Sequence, residues 1–238
     1  MTFIGKTKTI LMALVVAAIA GCSSSDDKSG EFAVEDITPA DALYNQALAN
    51  LDAGDLRTAQ KRIVDLNRQH PYSEYSRRSL VLDTFINYRQ GKYTDAASAG
   101  QRFIRLYPSD KDAAYAQYII GMSYYKQMPH ITRDQTVAQK SYDAMASLVE
   151  KYPESEYVED ARRKMRITKD QLAGKQMLVG RYYQERREFL AAINRFRRVV
   201  EEYPDTRHVE EALARLTESY FSLGLIQEAQ NAAAVLGH

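Results

Sequence analysis

The side chains able to carry reactive chemistry in this chain of 238 residues are few and far apart. Cys22 is the only cysteine, and the four histidines, His70, His130, His208 and His238, do not cluster. A zinc site draws its ligands from short, repeated spacings, and an activated nucleophile needs a base within hydrogen-bond reach. Neither pattern occurs, and no phosphate-cradling glycine loop or strained serine elbow stands out. His70 occupies the place that Tyr107, Tyr152 and Tyr203 take in three other segments, so aromatic packing at a helix end is its expected role. What remains is surface chemistry, carried by 17 tyrosines and a concentration of arginines. The expectation is a protein that binds other proteins and catalyses nothing, with no metal and no cofactor.

Cys22 has a different use, because of what precedes it. Lys6 and Lys8 lead into an apolar run from Ile10 to Ile19, followed by the small residues Ala20 and Gly21. This is the order of an export signal. The apolar run holds 10 residues, whereas spanning a bilayer takes about 20 at the helical rise. Ile19-Ala20-Gly21-Cys22 resembles the bacterial lipobox, in which the Cys thiol is acylated and the signal is cut before it. Residues 1–21 are therefore expected to be removed. Several acyl chains, at ~0.8 kcal/mol per buried methylene, hold a soluble domain firmly on a membrane. Residues 22–37, beginning Ser23-Ser24-Ser25-Asp26-Asp27 after the Cys, read as a flexible tether. Ser23 after the Cys points to sorting to the outer membrane. Neither the tether nor the repeats offer a second membrane-binding feature, so the anchor is expected to act alone.

Removing residues 1–21 takes away Lys6 and Lys8 and leaves 30 basic against 31 acidic side chains, a formal net charge of −1. There is no basic excess to drive counterion release, so nucleic acid is not an expected partner. No Trp, many Tyr and abundant Ala favour helices packed through small residues against aromatic ones.

Aligning on proline shows how such helices are organised. Gln69-His70-Pro71, Leu106-Tyr107-Pro108, Lys151-Tyr152-Pro153 and Glu202-Tyr203-Pro204 each close a helix. Two residues past each Pro stands a side chain able to cap the next helix: Ser73, Asp110, Ser155 or Thr206. Thr38-Pro39-Ala40-Asp41 opens the first helix in the same sense, with Thr38 as cap. Eight residues past each Pro lies Ser79, Ala116, Ala161 or Ala212, small enough for two helices to approach closely. Twelve before three of the prolines is Ala59, Ala96 or Ala192. Gly54, Gly91 and Gly224 fall five residues before Ala59, Ala96 and Ala229, where a helix must end in a left-handed residue. The unit, helix, Gly turn, helix, Pro, occurs five times and resembles the tetratricopeptide repeat. The expected fold is all-α, a right-handed superhelical stack of about five such hairpins, whose concave surface suits extended peptides.

Two spacings are long. From Pro108 to Pro153 is 45 residues, the excess including an insertion at Met128-Pro129-His130-Ile131-Thr132-Arg133-Asp134, and from Pro153 to Pro204 is 51. Against the 37 residues from Pro71 to Pro108, the second excess is 51 − 37 = 14, ~3.9 helical turns, which keeps an apolar face in phase. One long helix is expected between about residues 156 and 187. Gly174 is its weak point: if the helix is continuous, Gly174→Ala is expected to stabilise it, and if it breaks there, Gly174 is a hinge and the same change is expected to disturb assembly.

Residues 155–203 contain 12 basic and 8 acidic side chains, a net of +4. They form either a solvated face of internal Glu–Arg pairs or an arginine-bearing docking surface. Tyr72, Tyr75, Phe85 and Tyr88 are candidates for a groove that binds extended, aromatic-ended peptides, because aromatic rings combine apolar area with a polar tip at little entropic cost.

The lipobox, the Ser-rich tether, five irregular repeats and the phrases His70-Pro71-Tyr72-Ser73-Glu74-Tyr75-Ser76, Thr132-Arg133-Asp134-Gln135 and Lys151-Tyr152-Pro153-Glu154-Ser155-Glu156-Tyr157 are together similar to the BamD (ComL) lipoproteins. So are Glu202-Tyr203-Pro204-Asp205-Thr206 and Tyr182-Tyr183-Gln184-Glu185-Arg186 before Asn194-Arg195. The likeness spans almost the whole chain. It implies a lipid-anchored subunit on the periplasmic face of the outer membrane, in the machine that folds and inserts β-barrel proteins. Under that resemblance, repeats 1–3 in residues 38–154 receive unfolded barrel proteins, and residues 155–238 contact the periplasmic domains of BamA. Other Bam lipoproteins are further partners the resemblance implies. The BamA-facing candidates are Tyr183, Glu185, Arg187, Arg195 and Arg197; Arg195 matches a family arginine implicated in that coupling. Read as exposed, Arg195 is expected to matter for docking and little for stability. Arg187 and Glu188 depart from the small and aromatic residues common in relatives. The alternative is another outer-membrane repeat lipoprotein that scaffolds cell-wall or division enzymes.

Overall fold

The computed structural model describes residues 37–237. The signal segment, Cys22 and the tether as far as residue 36 lie outside them. Among the described residues there are ten helices and no strand: α1 (Ala40–Asp52), α2 (Leu56–Gln69), α3 (Glu74–Arg89), α4 (Tyr93–Leu106), α5 (Ala113–Lys126), α6 (Thr136–Lys151), α7 (Val158–Glu185), α8 (Phe189–Glu202), α9 (Val209–Ser222) and α10 (Ile226–Leu236). They pair in chain order as five antiparallel hairpins stacked side by side.

Local chemistry explains where the helices stop. A residue before proline is pushed out of the helical basin by the proline ring. His70, Tyr107, Tyr152 and Tyr203 accordingly share φ between −129° and −136° with ψ of 45° to 62°, and they close α2, α4, α6 and α8. Within hairpins the turn residue has positive φ: 78° at Gly54, 74° at Gly91 and 75° at Gly224. Each is followed by the bond that defines this helix end, for instance from the Lys92 N–H to the Asn87 carbonyl at 2.9 Å. The fourth hairpin makes the same turn without glycine. Arg187 sits at φ 62°, and the Glu188 N–H bonds the Tyr183 carbonyl at 2.9 Å. Arg187 is five residues before Ala192, the glycine position of the other units.

The caps follow the expectation at one position. Ser73 accepts a bond from the Ser76 N–H at 3.0 Å and opens α3. Asp110, Ser155 and Thr206 instead stand three residues ahead of their helices, because a tight turn intervenes: the Ala113, Val158 and Val209 N–H groups bond back to the carbonyls of these three. Pro39, not Thr38, is the residue before α1, and Thr38 works through its backbone. Its N–H donates to Gln69 Oε1 at 3.1 Å, and its carbonyl accepts from His70 Nε2 at 2.7 Å. His70 thus carries a hydrogen bond that ties the start of the first hairpin to its end, which the expectation of aromatic packing did not include.

Close packing rests on the small residues. Ser79, Ala116, Ala161, Ala212, Ala59, Ala96 and Ala192 are all fully buried. In the third unit the corresponding position is Ser141, also buried, whose hydroxyl donates to the Gly121 carbonyl at 3.2 Å. Beyond their chain neighbours, α1 touches α3, α3 touches α5 and α5 touches α7. The first helices of the hairpins thus approach one another and form the inner layer, while α2, α4, α6 and α8 pack on the helices before and after them.

The long helix is α7, 28 residues and unbroken at Gly174. Its extra turns are the seat of the insertion between α5 and α6. Gln171 Nε2 donates to the Pro129 carbonyl at 2.8 Å, Lys175 Nζ to the Thr132 carbonyl at 2.9 Å, and Ile131 lies over Gly174. A Cβ on Gly174 would come within 2.7 Å of Ile131 Cδ1 and 3.1 Å of His208 Nε2. Gly174 is small because the insertion and the start of α9 press on it. The gain in helix propensity expected from Gly174→Ala is therefore opposed by displacement of both neighbours.

Candidate functional site

The inner layer carries a seam of aromatic rings that crosses four hairpins. Tyr44 of α1 meets Tyr75 of α3 at 5.6 Å between centroids. Phe85 of α3 meets Tyr115 of α5 at 6.4 Å, and Tyr115 meets Tyr157, at the head of α7, at 5.4 Å. Tyr118, one turn along α5, stacks on Tyr157 at 4.9 Å. Between them opens a cavity of about 460 Å³ lined by Tyr44, Leu82, Phe85, Tyr115 and Tyr157, with Arg78, Lys111 and Asp112 at its rim. Arg78 lies over the Tyr75 ring at 5.8 Å and Arg89 over Phe85 at 5.5 Å.

Burial pushes the pKa of Tyr115 up to about 12 and raises those of Tyr44, Tyr88 and Tyr157. Tyr118 rises through burial and through the bond its hydroxyl donates to Asp160 Oδ2 at 2.7 Å. That same bond, with Lys164 and Arg163 beside it, holds the Asp160 carboxyl below its ordinary range. At neutral pH the seam is thus a set of uncharged rings, half-buried, with hydroxyl tips and cationic neighbours. Such a surface can grip an extended chain through apolar and ring contacts, with Lys111, Arg78 and Asp112 on its rim offering polar and charged partners of both signs.

Of the four groove candidates, Phe85 lines the cavity, and Tyr75 packs on Tyr44 at its edge. Tyr88 lies half-buried against Tyr93 of α4 at 5.6 Å. Tyr72 stands apart, fully exposed in the turn before α3. Sequence reasoning missed Tyr44, Tyr115 and Tyr157. Tyr157 had a signal, since it lies four residues past Pro153 as Tyr75 lies four past Pro71.

The second set of candidates divides. Tyr183 packs partly into the core of the last two hairpins, while its neighbour Tyr182 is exposed and carries the Arg186 guanidinium at 4.3 Å over its ring. Glu185 and Arg187 are exposed at the α7–α8 turn. Arg195 is half-buried and donates to Gln176 Oε1 of α7 at 3.2 Å, which corrects the expectation of a free surface arginine. Arg197 is exposed and pairs with Glu201 at 3.6 Å. Two residues apart on a helix, Arg195 and Arg197 leave opposite sides of α8. The arginine-rich segment divides in the fold. Arg197 and Arg198 make local pairs, whereas Arg162 and Arg166, with no ion pair among the described residues, line a groove of about 650 Å³ between α7 and the α8–α9 turn.

Neither a cluster of side chains able to hold a metal nor a helix long and apolar enough to cross a membrane occurs among the described residues. A family model described as an outer membrane lipoprotein, YfiO, matches residues 36–236. The outer membrane protein assembly factor BamD of Caulobacter vibrioides is 40% identical over 230 residues, 97% of this chain and 75% of that protein. BamD of Rickettsia prowazekii is 33% identical over 235 residues, 98% of this chain and 92% of the relative, and BamD of Xylella fastidiosa strain 9a5c is 30% identical, covering 97% and 82%. With a repeat stack in place and the likeness running through all five hairpins, the chain belongs to the YfiO family of outer membrane lipoproteins, that of the BamD assembly factors.

Proposed function

We propose that this protein is a non-catalytic subunit of an outer-membrane β-barrel assembly machine, holding unfolded barrel proteins in the aromatic groove of its first hairpins. The observation that carries the reading is the seam Tyr44–Tyr75 and Phe85–Tyr115–Tyr157 and the cavity it lines. A barrel strand alternates its side chains, so an unfolded one presents aromatic residues in an extended row. Rings spaced across adjacent helices match such a row. Names given to the relatives, outer membrane protein assembly factors, support the same reading. The α7–α8 turn with Glu185 and Arg187, and Arg195 beside it, faces the periplasmic domains of BamA, and acyl chains on Cys22 hold the chain on the periplasmic face of the outer membrane.

Photo-crosslinkers at Phe85 and Tyr115, compared with one at Val64 on the outer face of α2, test the groove in membranes that are synthesising barrel proteins. Adducts with unfolded barrel chains are expected at the first two positions. Equal labelling at Val64, or adducts only beyond Ser155, would remove the groove from the account.

A further inference from the structure

A second, oppositely built surface lies on the outer layer of the first hairpins. Arg57 and Lys61 are one turn apart on α2 and so share a face. The α3–α4 turn is fastened beside them, because Gln90 Nε2 donates to the Leu56 carbonyl at 3.0 Å, and this sets Lys92 against the start of α2. The three cations line a groove of about 620 Å³ whose floor is Leu56 and Val64, the latter 55% exposed. No carboxylate lines it. Asp83 is half-buried and taken up by Gln60 and by Asn87 Nδ2 at 3.0 Å, and Asp55, the N-cap of α2, is engaged by the Thr58 N–H at 3.0 Å while lying within the field of Arg57. Arg57, Lys61 and Lys92 have no ion pair among the described residues, whereas Arg62 on the same helix pairs with Asp65 at 3.8 Å. Three cations without a close ion pair, only Arg57 of them eased by the nearby Asp55, surround an apolar floor and favour an anion with an apolar body among them.

We infer that this groove takes the phosphate-bearing headgroups of anionic phospholipid in the bilayer, and so fixes how the repeat stack lies on the membrane. Charge complementarity gives the chemistry, and the chain gives the occupant. Only 17 residues separate Cys22 from Ala40, the first of α1, at most about 60 Å when fully extended. A first hairpin on so short a leash meets headgroups at high effective concentration. Leu56 and Val64 suit the glycerol and upper acyl region, which inorganic phosphate lacks. The inference rests on the acyl anchor only for that proximity. It also revises the expectation that the repeats carry no membrane-binding feature, since Lys92 stands 31 residues from Lys61 in sequence and meets the α2 cations only in the fold.

The test uses the full mature chain with Cys22→Ser, which cannot be acylated, and vesicles of phosphatidylethanolamine with and without phosphatidylglycerol. Each basic residue at an anionic surface contributes about a fivefold change in partition. The triple variant Arg57→Gln, Lys61→Gln, Lys92→Gln is therefore expected to bind the anionic vesicles about a hundredfold more weakly, with unchanged thermal unfolding. A control triple, Lys126→Gln, Arg133→Gln, Lys151→Gln, is expected to change little. Equal loss in both triples would mean net charge alone and overturn the site. Full competition by inorganic phosphate would make the ligand a free anion, and capture of polyglutamate in place of vesicles would make it an acidic protein; either overturns the lipid assignment. Because the assay chain carries no acyl group, failure of the Cys22 anchor in cells would leave its outcome untouched.

Discussion

Arg187→Gly is expected to make the protein more stable. Arg187 holds φ 62° at the turn where Gly54, Gly91 and Gly224 hold 74° to 78°. The left-handed conformation costs an L-residue roughly 1–2 kcal/mol that glycine does not lose. Against this, glycine brings more freedom to the unfolded chain, worth roughly 0.5–1 kcal/mol. The exposed Arg187 side chain makes no ion pair among the described residues, so its removal forfeits little. The balance is a gain of about 0.5–1 kcal/mol, a rise in Tm of about 1–4 °C for a chain of this size. Thermal unfolding of the mature chain measures it, with Gly224→Ala as the mirror variant, expected to lose about 1 kcal/mol at the same turn. A lower Tm for Arg187→Gly alongside the loss at Gly224 would show that the arginine side chain makes a stabilising contact and would refute the reasoning. If Arg187 also docks a partner, the stabler variant will bind BamA less well, which separates the two roles.

Packing and charge set three further outcomes. Gly180→Ala sets a methyl group 2.8 Å from Cδ1 of the fully buried Phe196, so overpacking of about 1–3 kcal/mol outweighs the helix-propensity gain and chemical denaturation will show a net loss. Tyr115, neutral when folded up to about pH 12, favours the folded state fully below pH 10. As the unfolded chain ionises above pH 10 that state gains stability relative to the fold, so Tyr115→Phe, which cannot ionise, is expected to make the alkaline decline between pH 10 and 12 shallower by about 1 kcal/mol after allowance for partial exposure, read from unfolding curves at pH 8 and above. Cys22→Ser is expected to leave the circular dichroism melt unchanged and to move the protein from outer membranes to the soluble fraction, because electrostatic contact alone is weaker than several acyl chains; retention in outer membranes depleted of BamA would contradict this.

The hairpins were legible because proline, glycine and small residues act locally: one proline ends a helix wherever it stands, and one alanine of zero exposure marks a close approach. The long helix was legible because an excess of 14 residues preserves phase, though the reason for Gly174 was not, since Ile131 and His208 reach it only in the fold. The N-caps Asp110, Ser155 and Thr206 misled because a three-residue turn competes with a cap for the same side chains. Arg187 stood at the glycine position in plain view, yet its type drew attention to docking and away from backbone conformation. The groove was half legible. Phe85 and Tyr75 belong to one helix, whereas Tyr44, Tyr115 and Tyr157 come from three other hairpins whose register only packing decides.

The central claim, that the aromatic seam of the inner layer receives unfolded barrel strands, is tested most directly by the affinity of a peptide from a barrel protein's last strand for the full mature chain and its variants. Truncating a ring at the centre of such a groove commonly costs 1 kcal/mol or more, roughly fivefold or greater in Kd. Phe85→Ala and Tyr115→Ala are each expected to weaken binding by at least that factor, Tyr72→Ala to change it little, and replacement of the peptide's aromatic residues by alanine to abolish the difference between variants. Unchanged affinity in Phe85→Ala and Tyr115→Ala, both still folded, would contradict the account.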